Sequence, residues 1–239
     1  MSDASLTEQL LAELDRCAHL RTRVVEDALF RERRVLLRAW QAERLARTHG
    51  DLLQSKRFHD AVVFFLTDLY GPNDLSPHIE DLRRLVPLMA RTLPEAGVKA
   101  VAHAIELNAL AEDLDGAMVE ALDAQAAKIS DPAYAAAYRK VGRAEDRERQ
   151  IDLIALLGGA LEALARQRFV GTALWAIRKP AQAAGFGDLQ GFIERGYAAF
   201  AAMHGGAGEF VSIVVARERV LSKALLAGDD GALQRPPQG

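Results

Sequence analysis

RFHDAVVFFLTDLYGPND, residues Arg57 to Asp74, is the stretch around which the chain is organised. It holds the uncharged apolar run Ala61 to Leu66 and stops sharply at Tyr70-Gly71-Pro72. Val62, Phe65, Leu66 and Leu69 recur at i, i+3, i+4 and i+7, one face of an α-helix. Phe58, Ala61 and Phe64 widen that face to most of the circumference, and a helix apolar nearly all round belongs inside a bundle. Gly71 can take the left-handed conformation that closes a helix, and Pro72 cannot continue one. The spacing predicts a central helix over Phe58 to Tyr70, with Asp68 and Tyr70 at its end beside a fixed loop.

Composition agrees with a bundle. Half of the 239 residues are hydrophobic but only 6% are aromatic, so the core is mostly Ala and Leu. The length suffices for a sizeable core without staples. With no convincing internal boundary, residues 1–227 read as a single all-helical domain and 228–239, ending RPPQG, as a disordered tail. A net charge of -3 and a pI near 6.1 argue against a general nucleic-acid binder, whose affinity needs a positive field. Cys17 is the only cysteine, which removes internal disulfides, CxxC chemistry and thiolate zinc sites, and fits a cytoplasmic location. The N-terminus, MSDASLTEQ, is too polar for a signal peptide. The best apolar run, Leu153 to Ala165, is interrupted by Gly158, Gly159 and Glu162, so no membrane span is expected. Arginine outnumbers lysine, which points to a GC-rich bacterial genome.

Outward from the central stretch, the pattern stays helical. Ser5 to His49 contains no Gly or Pro and reads as one long helix or two nearly continuous ones. Leu11, Leu14, Ala18, Val25, Leu29, Leu36 and Trp40 follow a rhythm near 3.5 residues, which suits a bundle edge or a homodimer seam. Arg31, Arg34 and Arg38 share a face. It reads first as a solvated face with Glu26, Asp27 and Glu32 as partners, and otherwise as an anion or acidic-partner patch. Ser130-Asp131-Pro132 is a helix start, Pro87 a kink, and Gly158-Gly159 a close helix contact. The β-like run Phe210 to Val215 continues into ARERVLSKALL and reads as buried helix. The expected fold is all-α, a bundle of seven to nine helices with a long N-terminal helix.

Several chemistries have no motif. HExxH, GxSxG and GxxxxGK[ST] are absent, and GFG and GGAG do not follow strands. No histidine has a Glu three residues before it, as a di-iron bundle requires. The reverse, His103-x-x-Glu106, reads as a hydrogen-bonded or exposed pair. No metal site or cofactor is assigned. His59, His103, His204 and Cys17 leave a haem- or metal-dependent bundle enzyme, haem-oxygenase-like in architecture, as the alternative.

What remains is a set of polar residues inside apolar segments: Asp68, Tyr70, Glu106, Asn108, Gln150, Arg178, Glu194, Arg217 and Glu218. Buried charges must be paired, so Arg178 or Arg217 is expected to satisfy Asp68, Glu106 or helix-end carbonyls. The functional version places Asp68, Tyr70, His103, Glu106, Arg178 and Glu194 around a pocket, with Arg178 as anion anchor and Tyr70 as donor.

FFLTDLYGP, with Arg178-Lys179-Pro180-Ala181 and Ala184-Gly185, resembles a family of uncharacterised bacterial proteins, a domain of unknown function with an FFLxDLYGP signature. The resemblance spans about residues 57 to 225. It implies one recurring unit and brings no activity. The expected function is a non-catalytic module for a protein partner or a small apolar or anionic ligand.

Overall fold

The computed structural model describes residues 3–69, 79–92, 95–123 and 127–235. Among them are eleven α-helices and no strand. The fold is all-α, as the periodicity predicts. The N-terminal stretch is two helices, α1 (Asp3–Glu26) and α2 (Ala28–Thr48). Asp27 divides them: it is extended, and its carboxylate accepts a hydrogen bond from the Phe30 N–H at 2.9 Å, capping α2.

The expected central helix, Phe58 to Tyr70, begins as α4 (His59–Phe64) and runs on as a π-helical turn over Phe65–Leu69, with a short separate helix, α3 (Gly50–Gln54), before it. The break at Asp27 and the separate α3 raise the helix number above the seven to nine expected. Tyr70, the Gly71-Pro72 stop and the Ser76-Pro77 start lie outside the described residues. Next come α5 (Ile79–Thr92), α6 (Glu95–Ala121), α7 (Asp131–Val141), α8 (Ala144–Ala165), α9 (Arg168–Ala183), α10 (Gly187–Ala202) and α11 (Ala207–Leu226). The Ser130 hydroxyl caps α7 by accepting from the Ala133 N–H at 3.3 Å. FVSIVV is helical, inside α11.

α6 and α8 pack side by side through Leu110, Leu114 and Leu153, all buried. α1 covers α6 on one side and α11 covers α8 on the other. The stretch that organises the sequence is buried against the later helices. Phe210 of α11 lies 5.8 Å from both Phe58 and Phe65, and Phe64 lies 5.5 Å from Phe192 of α10. Each such ring contributes about 1.5–3 kcal/mol by leaving water. Cys17 is buried, and burial pushes its thiol up to about 11.

α9 continues through Pro180 and packs on α10, leaving Phe169, Trp175 and Ile177 exposed. No single helix among the described residues is long and apolar enough to cross a membrane. In the segment from Gly228, read from sequence as a tail, Ala232–Gln234 forms a 3-10 turn. Ala232 and Leu233 there pack against the cluster of Trp40, Tyr134 and Leu225.

The Gly158-Gly159 pair separates into two roles. A Cβ at Gly158 would overlap both γ-methyls of Val211 on α11, whereas one at Gly159 would meet nothing within 4 Å. Valine is stiff at χ1 in a helix and cannot swing aside. Gly158→Ala should therefore lower the urea-unfolding free energy by about 1–3 kcal/mol. Gly159→Ala should raise it by about 0.5–1 kcal/mol, as expected for glycine in a helix interior.

Candidate functional site

The described residues of the sequence-predicted site are held by different partners. Asp68 is buried in the π-helical turn and accepts from Arg195 Nε at 2.7 Å and from the Thr67 hydroxyl at 2.7 Å. Its partner is Arg195, not Arg178. Arg178 instead grips Glu194 with both Nε and Nη2, at 2.6–3.1 Å, on the exposed α9–α10 seam. The Gln190 amide also donates to Glu194, at 3.0 Å. Arg178 holds the Glu194 carboxyl below its usual range. Glu194 and Arg195 are neighbours on α10, so these two ion pairs lie close together. Glu106 is elsewhere, held by Arg149 at 2.7 and 2.8 Å across the α6–α8 seam. His103, half-buried one turn before it, has its pKa lowered by burial, with Glu106 opposing. Tyr70 lies outside the described residues.

Arg31, Arg34 and Arg38 do not form a solvated face. Arg34 and Arg38 turn inward to Glu112 on α6, and Arg31 donates to the Val24 and Val25 carbonyls that end α1.

The most developed polar arrangement is inside the bundle. α2, α6, α7, α8 and α11 enclose a cavity of about 70 Å³. Its apolar wall includes Leu114, Ile151, Ile154 and Leu221, and its polar wall Gln41, Arg44, Asp115, Arg147, Gln150 and Glu218. Glu218 accepts from Arg44 Nη1 at 2.5 and 2.7 Å, and His49 Nε2 lies 3.0 Å from it. Although burial alone would raise its pKa, Arg44 and His49 bring the Glu218 carboxyl down to about 2. Asp115 accepts from the Gln41 amide at 2.9 Å, and burial pushes its carboxyl up. The Tyr138 hydroxyl donates to Ser222 at 2.8 Å.

Arg147 is the exception to pairing. It is 6% exposed, and its guanidinium lies 3.6 Å above the Tyr138 ring. Its Nε donates to the Gly142 carbonyl at 3.3 Å, and Nη2 is buried with no hydrogen-bond partner. The Gln41 carbonyl oxygen is likewise buried and unpartnered. Of these residues, Gln150 and Glu218 stand out in the sequence as polar groups in apolar segments. Arg147 is hidden by the charged run Arg143 to Arg149. The signal for it is phase: Arg147, Ile151, Ile154 and Gly158 follow i, i+4, i+7, i+11, and all are buried.

Among the described residues, no group of three or more His, Cys, Asp or Glu side chains is placed to hold a metal ion. Of the haem candidates, His59 Nδ1 is engaged by the Leu53 carbonyl at 2.8 Å and His204 is exposed.

The Glu218 cluster has a pH signature. A folded pKa of about 2 against an ordinary 4.5 means its stabilisation is complete above pH 4.5 and is lost as pH falls toward 2. Asp115, raised by burial, acts with the opposite sign, so its cost disappears on protonation. Glu218→Gln should lower stability at pH 7 by roughly 3–5 kcal/mol, because it leaves Arg44 buried without its carboxylate. It should also flatten the fall in urea midpoint between pH 4.5 and 2.

No curated protein and no solved structure matches the chain. One family model matches residues 20–232, nearly the whole chain, reaching into α1 before the region of resemblance noted from the sequence. The chain belongs to the family described as a domain of unknown function, DUF8198.

Proposed function

We propose that the protein is a non-catalytic module that binds a small polar ligand in the cavity between α2, α6, α7, α8 and α11. Supporting this is one observation: the cavity wall carries polar groups that the fold buries and leaves unsatisfied, Arg147 Nη2 and the Gln41 carbonyl oxygen. Each such group costs roughly 1–3 kcal/mol, a cost that a bound ligand offsets. Native mass spectrometry of freshly purified protein should show a mass excess that disappears on denaturation. Ala111 lines the cavity, and Ala111→Leu should fill it and abolish the excess. Equal native and denatured masses in the wild type would remove the proposal.

A second reading, homodimerisation through the N-terminal helices, draws on Val25, Leu29 and Leu36. All three are apolar and exposed, and Leu29 and Leu36 are one heptad apart on α2. Light scattering at micromolar concentration should give twice the 26.1 kDa chain mass. Leu29→Lys should return a monomer; a wild-type mass near 26.1 kDa counts against the dimer.

A further inference from the structure

We infer that the cavity takes a small organic oxyanion, a short carboxylate that also carries a hydroxyl or amino group, with Arg147 as its counter-ion. This rests on the ligand-binding reading above and gives that ligand a chemical class.

Other arginines whose side chains are buried or nearly so have a carboxylate. Arg44 has Glu218, Arg217 has Asp51, and Arg34 has Glu112. Among the described residues, no carboxylate lies within 4.0 Å of Arg147, and its only hydrogen bond is from Nε to the Gly142 carbonyl. A buried guanidinium without a carboxylate in direct contact is expensive, so this position calls for an anion.

Orientation points the same way. The Tyr138 ring holds one face of the guanidinium and Gly142 holds Nε, which fixes the plane, while Nη2 makes no hydrogen bond to the protein. That edge matches the two oxygens of a carboxylate. Asp115 is a poor substitute as counter-ion, because burial favours its neutral form.

The rest of the wall narrows the class. The Gln41 carbonyl oxygen is an unused acceptor, which asks for a hydroxyl or amino donor on the ligand. Leu114, Ile151 and Ile154 supply an apolar surface for a short hydrocarbon segment. The cavity, about 70 Å³, restricts the ligand to a handful of heavy atoms. Lactate has these features and is the probe.

The test is isothermal titration calorimetry in chloride-free buffer with lactate, lactamide and inorganic phosphate, on wild type, Arg147→Gln and Arg147→Lys. Lactate should bind saturably, and lactamide roughly tenfold or more weakly. Arg147→Gln should weaken lactate by a similar factor and leave lactamide unchanged. Arg147→Lys keeps the charge without the paired edge and should fall between, which covers the case in which Arg147→Gln does not fold. Phosphate binding as tightly as lactate, with equal dependence on Arg147, would overturn the carboxylate in favour of an inorganic oxyanion. Lactamide binding as tightly as lactate would overturn the anion inference and leave the cavity as a ligand site. No heat from any probe would overturn the carboxylate inference, and the absence of a native mass excess as well would overturn the ligand site itself.

Discussion

Glu218 is an ionised carboxylate inside a helical bundle, and the rest of the molecule is arranged around keeping it so. Arg44 reaches it from α2, and His49 from the corner where α2 meets α3. The preceding residue, Arg217, points to the same corner. Its two terminal nitrogens bind both oxygens of Asp51 at 2.7 and 2.8 Å, and Nη1 also reaches the Thr48 carbonyl at 3.3 Å. Two successive residues of α11 thus fasten the end of α2 and the start of α3. That corner aims the chain into α4, so that Phe58 and Phe65 meet Phe210. If the charges at the corner were not satisfied, the aromatic packing beyond it would have no fixed register.

The same device recurs at the other seams. Arg143 joins α8 to Asp113 of α6, Arg149 joins α8 to Glu106, and Arg219 joins α11 to Glu148 and Asp152 of α8. Exposed pairs of this kind contribute about 0–1 kcal/mol each, so they orient helices more than they stabilise them. The bundle has few aromatic residues and uses arginine stems and guanidinium planes where other cores use rings. Against that background the cavity is distinctive, because there the pairing of arginine with carboxylate stops at Arg147.

Fold class was legible in the sequence because it depends on local spacing. The i, i+3, i+4, i+7 pattern, the Ser130-Asp131-Pro132 start and the helical continuation after FVSIVV each act within a few turns. Long-range partners were not legible. Thirty Lys and Arg face thirty-three Asp and Glu, and spacing along a helix does not say which cation crosses to which anion. Asp68 goes to Arg195 because α10 approaches the end of α4 through Gly196, where a Cβ would lie 2.9 Å from the Phe64 ring. Nothing local to Asp68 encodes that approach. The polar residues in apolar segments were a partial guide. Gln150 and Glu218 line the cavity, whereas Glu106, Arg178 and Glu194 serve surface seams. Arg147 and Asp115 fell from view because each sits among residues whose charge or helix propensity reads as solvent-facing.

Cys17 has a practical consequence. Its sulfur is buried against α6, with Asn108 Nδ2 at 3.5 Å, and its thiol titrates near 11, so at neutral pH almost no thiolate forms and little of it meets solvent. With no other cysteine in the chain, the native protein behaves toward maleimides and iodoacetamides as if it had none. A cysteine introduced at an exposed position, such as on α9 or beside the cavity rim, would then carry a fluorophore or spin label alone, without removal of the native thiol. The bundle is therefore a ready frame for spectroscopic distance measurements between chosen helices.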